Sequence, residues 1–364
     1  MVVVLFVSCI LTALMSGGPA QADPPGAQPG LPYLRCLPKP PGTPEGTLDS
    51  CNGSDDYVNA GSFLNFPQVG LAGSVKAKQW TQVPLTMVSA SVLFYYYDHP
   101  GRAQPGDKIA QEWWYEIRAF FNSPRGSRDN YGDSAPIPVR TVAFGSIPVQ
   151  ATLQVSQQRD GAGLPVPLRF RPHDYRVDRG LGSGFTSVVE KSTLSAKVRV
   201  RVKKLVVDGV DVGLGQDCST AGLNDLTLSS KQLEVDTLDD NAPIPELERQ
   251  FDPTEYQYGI YGGTLRGSID IGAFAKCSTA SGDDISPLLT SALSEADNPV
   301  AVRIGATNCQ LYDDVGNGGP IPPGVNDPED PRAGCNPSVA ANPRIVTVPK
   351  RFDLPDTAPE HTAP

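Results

Sequence analysis

Between residues 60 and 310 the apolar side chains of this chain recur at every second position, the period of a half-buried β-strand. In 112–121, Trp113, Tyr115, Ile117, Ala119 and Phe121 share one face, and Glu112, Trp114, Glu116, Arg118 and Phe120 the other. In 149–156, Val149, Ala151, Leu153 and Val155 alternate with Gln150, Thr152, Gln154 and Ser156. Val198, Val200 and Val202 alternate with Lys197, Arg199, Arg201 and Lys203, and the same period runs through 265–273 and 300–304. One apolar and one polar face per strand implies antiparallel sheets covered on one side. The run 88–97 is apolar or aromatic on both faces, which predicts a central strand covered twice. Asp208-Gly209, set between Leu205-Val206-Val207 and Val210-Asp211-Val212, predicts a hairpin with a two-residue turn.

The helical period occurs once with supporting signals. Ser286 is placed to cap, Pro287 suits the first helical position, and Ile285, Leu288, Leu289, Ala292, Leu293 and Ala296 form an apolar stripe. Asn298-Pro299 is the expected stop. These elements predict an all-β protein: an antiparallel β-sandwich of two β units, with one short helix near 287–296 and irregular, proline-rich ends. The expected divisions are a β-domain at 61–215 and a second β-sandwich unit at 216–312, which could equally form one continuous sandwich. Residues 23–60 read as an irregular arm and 313–364 as a proline-rich tail, because proline lacks an N–H and fixes φ.

The first residues change the picture from fold to compartment. Val2 to Leu14 is almost wholly apolar, and Ala20-Gln21-Ala22 offers a small-x-small site, so 1–22 reads as a signal peptide cleaved near Ala22. No Lys or Arg precedes the run, a departure from the usual signal pattern. The run is short for a membrane anchor and is broken by Ser16-Gly17-Gly18-Pro19. Cleavage would place the mature chain in the secreted fraction or cell envelope. It would remove Cys9 and leave Cys36, Cys51, Cys218, Cys277, Cys309 and Cys335, an even set that predicts disulfides. The expected pairs are Cys36–Cys51, local to the arm, and Cys277–Cys309, across the helix. Cys218–Cys335 follows by elimination. A net charge of −10 argues against nucleic acid as a partner, since phosphate backbones need a basic footprint.

The second unit carries a resemblance. It runs through Asp217-Cys218-Ser219-Thr220, Leu226-Thr227-Leu228, Gly262-Gly263-Thr264-Leu265-Arg266-Gly267 and Phe274-Ala275-Lys276-Cys277. Asp283-Asp284-Ile285-Ser286-Pro287-Leu288-Leu289-Thr290, Asn298-Pro299-Val300 and Asn308-Cys309 complete it. This order resembles exported cell-envelope proteins of actinobacteria without assigned activity, over about 205–310. The resemblance implies a β-sandwich module with paired cysteines and carries over no catalytic residue.

Candidate chemistry is sparse. His99 and His173 stand in turn-like Asp98-His99-Pro100 and Pro172-His173-Asp174, and His361 falls in what reads as a loose tail. Gly180-Leu181-Gly182-Ser183-Gly184 lacks both a nucleophile elbow and a phosphate-loop context. Glu112 and Glu116 share a face but lie about 13 Å apart along a strand, beyond the roughly 5–9.5 Å of glycosidase pairs. They are expected to be solvated. No zinc spacing occurs, and the acidic loops at Asp236, Asp239, Asp240 and Asn241 and at Asp313, Asp314 and Asn317 read as turns, so no metal or cofactor is expected. Lys197, Arg199, Arg201 and Lys203 form a candidate patch for an anionic surface, with protection of an exposed face or edge strand as the competing explanation. Trp114, Phe120, Tyr95 and Tyr97 could face a sugar or lipid, although such aromatics more often fill sheet interiors. The expectation is an exported, non-enzymatic envelope protein that binds or associates with a cell-wall polymer, an envelope lipid or another envelope protein. The alternatives are a carrier or receptor for a hydrophobic or glycan ligand, and a hydrolase with an unrecognised site.

Overall fold

The computed structural model describes residues 48–49, 63–98, 108–122, 131–143, 146–178, 185–237, 252, 254–257, 262–305, 309–310 and 349–361. The signal segment, Cys36, Cys51, Cys335, His99, the Gly180–Gly184 loop and the acidic positions Asp239, Asp240, Asn241, Asp313, Asp314 and Asn317 lie outside them.

The described chain is mostly β with one short helix. Its strands are β1 (Leu48–Asp49), β2 (Phe63–Ser74), β3 (Gln79–Asp98), β4 (Lys108–Asn122), β5 (Ile137–Ala143) and β6 (Ile147–Gln157). Then come β7 (Leu168–Phe170), β8 (His173–Asp178), β9 (Phe185–Val189), β10 (Thr193–Val207), β11 (Val210–Asp211) and β12 (Ser219–Thr220). The last are β13 (Asn224–Ser229), β14 (Leu233–Thr237), β15 (Gly263–Ile271), β16 (Phe274–Ala275), β17 (Glu295–Ile304) and β18 (Cys309–Gln310). Each run with apolar alternation became a strand.

Antiparallel pairing runs β5–β6–β10–β13–β15–β17–β2–β3–β4–β8–β9–β14. The short β7 also bridges β4 to β10, through Ile117 to Ala119 on one edge and Leu194 and Ser195 on the other. The sheet thus folds over an apolar interior without closing into a barrel: past that short bridge β4 continues to β8 and β10 to β6. Hydrogen bonding crosses residue 216 at β10–β13 and again at β17–β2. The long run 88–97 lies in β3, which pairs with β2 and β4 on its two edges.

Inward positions of many strands make one core. Val88 and Ala90, Ile117, Ala119 and Phe121, Val198, Val200 and Val202, Leu226 and Leu228, and Leu265 and Ile269 pack together. The alternation of β10 survives to its end because of a bulge. The register with β6 shifts between Val202 and Lys204, so Leu205 is buried and Lys204 points out. The turn that follows has Asp208 at φ +49° and Gly209 at φ +78°, the left-handed pair of a type I′ hairpin.

The helix α1 (Ser286–Leu293) is shorter than its stripe, with Pro287 in its first turn. Ile285 occupies the N-cap position and makes no capping bond. Ser286 is buried instead: its hydroxyl donates to Asp284 Oδ1 (2.6 Å) and accepts from the Cys277 N–H (3.0 Å). Asn298-Pro299 is not the stop. The chain turns extended at Ser294 and enters β17, where Asn298 is fully buried and its Oδ1 accepts from Val75 N–H at 3.0 Å. Only Ile285, Leu289 and Leu293 reach the core, while Leu288 is 55% exposed, so nothing rewards another turn.

The described end of the tail is irregular but not loose. Phe352 is buried against Leu71, Ala301 and Trp80. The Phe352 and Thr357 carbonyls accept from Gln82 Nε2 (2.8 Å) and Trp80 Nε1 (2.7 Å). Arg303 donates to the carbonyls of Lys350 and Arg351 and lies 4.1 Å over the Phe352 ring. Short of β-pairing, this segment satisfies its own polar groups by strapping the outside of β2, β3 and β17.

Candidate functional site

Two clusters of charged side chains stand out among the described residues, one open and one packed. The open one grows from β10. Its inward valines fix the strand so that Lys197, Arg199, Arg201 and Lys203 emerge on the opposite side. The strand is not an edge, because β6 holds one side while β13 and then β12 hold the other. Edge protection therefore does not explain these charges.

Beyond β13, the segment around Cys218 takes over the pairing with β10. The Val202 N–H donates to the Cys218 carbonyl at 3.0 Å, Arg201 stands opposite Ser219, and Ser219 stands opposite Ala275 of β16. A disulfide joins Cys218 to Cys277, both wholly buried. This corrects the expected Cys277–Cys309 and Cys218–Cys335 pairs. Spacing along the chain suggested a bridge over the helix, but β12 and β16 lie side by side and bring Cys218 to Cys277 directly. Cys309 falls in β18, opposite Asn65.

Arg199, Arg201, Gln216, Asp217, Ser219, Thr220, Ala221, Ala275 and Lys276 line an open cleft of about 390 Å³ above this bridge. Lys276 is held at φ +59°, in the left-handed region, next to bonded Cys277. Arg199 donates through Nη1 to the Thr220 carbonyl at 3.3 Å. Thr220 itself is fully committed: its hydroxyl accepts from Val200 N–H and Asn224 Nδ2 and donates to the Gly222 carbonyl. The expected patch is thereby divided. Lys197 pairs with Asp225 at 2.5 Å and lies outside the cleft lining, as does neighbouring Lys204, which pairs with Asp211 at 3.3 Å. Lys203 is exposed and also outside the cleft. Arg199 and Arg201 have no ion pair among the described residues.

The packed cluster lies across β4 and β8, and it overturns two expectations. His173 is no turn residue: it opens β8 in register with Trp114. Its Nε2 meets Glu112 Oε1 at 2.8 Å and its Nδ1 meets Glu190 Oε2 at 3.0 Å, with Trp114 stacked on the ring at 5.7 Å. Both ring nitrogens therefore face carboxylate oxygens.

Nor are Glu112 and Glu116 solvated. The Glu116 side chain is 7% exposed and bonds Arg118 Nε at 2.8 Å and Arg171 Nε at 3.3 Å. Phe120, four residues beyond Glu116 on the same face, is wholly buried and so faces packed interior rather than a ligand. Trp114 and Tyr97 are half-buried, and Tyr95 stands in register with Trp114. A polar-looking strand face gives no sign in sequence that a second layer covers it. The only available hint was the mixture of acid, base and tryptophan at alternate positions.

On the inner side of β8, Asp174 is buried and its Oδ1 has no hydrogen-bond partner. Burial is the main cause that raises its carboxyl from the ordinary 3.8 to about 7, with His173 opposing and Glu190 assisting. Burial and the Asp174 charge likewise push the Tyr115 hydroxyl up. Folded Asp174 thus stays neutral until about pH 7, whereas the unfolded chain ionises it near its ordinary value. Its contribution is full below that ordinary value and is lost as pH climbs to the folded one. Asp174→Asn should therefore gain on the wild type by about 3 kcal/mol between pH 4.5 and 8. Urea unfolding at the two pH values checks this, and a gap that stays constant would refute it.

The interior holds a void of about 70 Å³ lined by Phe66, Ile117, Phe170 and Leu265 among others. That is far below the roughly 300–1,000 Å³ of ligand pockets. No group of three or more metal-ligating side chains occurs among the described residues. No protein-family model, curated protein or solved structure matches this chain.

Proposed function

We propose that this is an exported, non-enzymatic protein of the cell envelope that works by binding, with the Arg199–Arg201–Lys276 cleft as its binding surface. The observation that carries the reading is the open cleft, which gathers cationic donors unopposed by ion pairs on a chain whose net charge is −10. Such donors attract and orient an anionic group without chemistry of their own. The buried Cys218–Cys277 bond supports an oxidising compartment. The apolar leader, with Ala20-Gln21-Ala22, supports export, and the resemblance over 205–310 supports an actinobacterial envelope setting. The scaffold reads as a β-sandwich made by the folded-over sheet, with its two β units sharing one core. Partners of the right chemistry are an anionic wall polymer, a lipid headgroup or another envelope protein.

Fractionation of cells producing the tagged chain tests this. The expected result is protein in the envelope or medium with its thiols oxidised, and a shift from envelope to medium for Arg199→Glu/Arg201→Glu. Recovery solely from the cytosol with free thiols would overturn the proposal.

A further inference from the structure

The charge balance within the cleft narrows the ligand. Resting on the reading of the cleft as a binding surface, the geometry points to a phosphorylated sugar or polyol unit as what it takes.

Arg199, Arg201 and Lys276 line it against a single carboxylate, Asp217. The surplus of two positive charges (3 − 1) matches a phosphomonoester, which carries about −1.5 to −2 near neutrality. A lone carboxylate would leave part of it unopposed. The distribution of partners along β10 agrees. Lys197 and Lys204, outside the cleft, each have an aspartate, but the two arginines inside it have none among the described residues. A buried or half-buried guanidinium without a counter-ion is costly unless an anion supplies one.

Donor geometry also favours phosphate. Arg199 and Arg201 leave the same strand face about 6.6 Å apart along the backbone, and each presents a planar fork suited to paired oxygens. Arg199 spends one N–H on the Thr220 carbonyl, which steadies it while its other donors remain. Lys276 adds a point charge from the wall built by β16, held in place by the disulfide beside it.

The remaining space speaks for the rest of the molecule. A cleft of about 390 Å³ is far larger than a phosphate group. Beside Ala221 and Ala275, its lining includes the polar Gln216, Asp217 and Ser219. In particular, a carboxylate in a cationic cleft has a natural use as an acceptor for hydroxyl groups. Several hydroxyls beside one phosphate describe a sugar or polyol phosphomonoester.

Titration calorimetry of the full, oxidised chain tests the assignment with glucose 6-phosphate, inorganic phosphate, glucuronate and glucose. Glucose 6-phosphate should bind at least about tenfold more tightly than glucuronate, with inorganic phosphate between them and glucose silent. Arg199→Gln/Arg201→Gln should lose about thirtyfold or more, while Lys203→Gln stays within about twofold because it lies outside the cleft. Circular dichroism confirms that both variants fold. Equal or tighter binding of glucuronate would overturn the phosphate assignment and leave the binding role intact. Absence of binding by every anion would overturn the assignment outright, while fractionation still decides export and envelope association separately.

Discussion

Replacing Cys218 and Cys277 together by alanine should lower stability by about 4 kcal/mol on the loop-entropy estimate. The bond spans 59 residues of sequence, and that interval contains β12 to β16 and the whole of the long segment between β14 and β15. Without it the unfolded chain regains the freedom of a large loop. Both sulfurs are wholly buried, so the alanines also leave space unfilled. The local effect should be visible as well. Cys277 accepts from Ile285 N–H at 2.9 Å and donates to Ser286 Oγ, so the bridge holds the start of α1 and Lys276 against β12. Urea unfolding should show a lower midpoint, and glucose 6-phosphate should bind more weakly because the wall of the cleft is no longer fixed. A loss under about 1 kcal/mol would mean that packing alone orders this unit. Peptide mapping of the unreduced protein should recover Cys218 linked to Cys277.

Much of this fold could be read from period-two alternation because burial on one side of a sheet leaves that mark directly in the sequence. The valines of β10 illustrate it, since Val198, Val200 and Val202 are 0%, 5% and 1% exposed. The Asp208-Gly209 turn was equally plain, as few residue pairs accept left-handed backbone twice in succession. What alternation does not encode is which strands become neighbours. The disulfide was mispaired for that reason: Cys218 and Cys277 meet only because β12 pairs with β16. The helix end failed differently. Asn298-Pro299 is a strong local stop, but Asn298 is wanted in β17, where its side chain bonds the Val75 N–H and the Glu295 carbonyl.

The candidate site was half legible. The basic alternation of β10 placed Arg199 and Arg201 on one outward face, yet it could not show that Asp225 and Asp211 would neutralise their neighbours Lys197 and Lys204. Lys276 was out of reach of sequence reasoning, being 75 positions from Arg201 and joined to it only through two short ladders. For His173 the local reading failed because Pro172-His173-Asp174 has turn composition. Its surroundings come instead from Glu112 and Glu190, on other parts of the sheet.

The same covered face of β4 yields the other large effect. Glu116→Gln should destabilise the protein by about 3–5 kcal/mol, the range for breaking a buried ion pair by removing one partner. Arg118 is as buried as Glu116, with side chains 6% and 7% exposed, and would keep its charge without its 2.8 Å partner. Arg171, at 63% exposed, can turn to water and should matter little. The cost therefore belongs to a buried guanidinium that loses this carboxylate rather than to lost attraction. A paired replacement separates the two. Glu116→Met/Arg118→Met removes both charges while filling similar volume, and buried pairs replaced in this way are often neutral. Urea denaturation should then show the double variant recovering at least half of what Glu116→Gln loses. If the double variant is less stable than the single one, the network contributes net stabilisation through its hydrogen bonds, and the account of a penalty from removing the carboxylate beside a buried guanidinium is wrong.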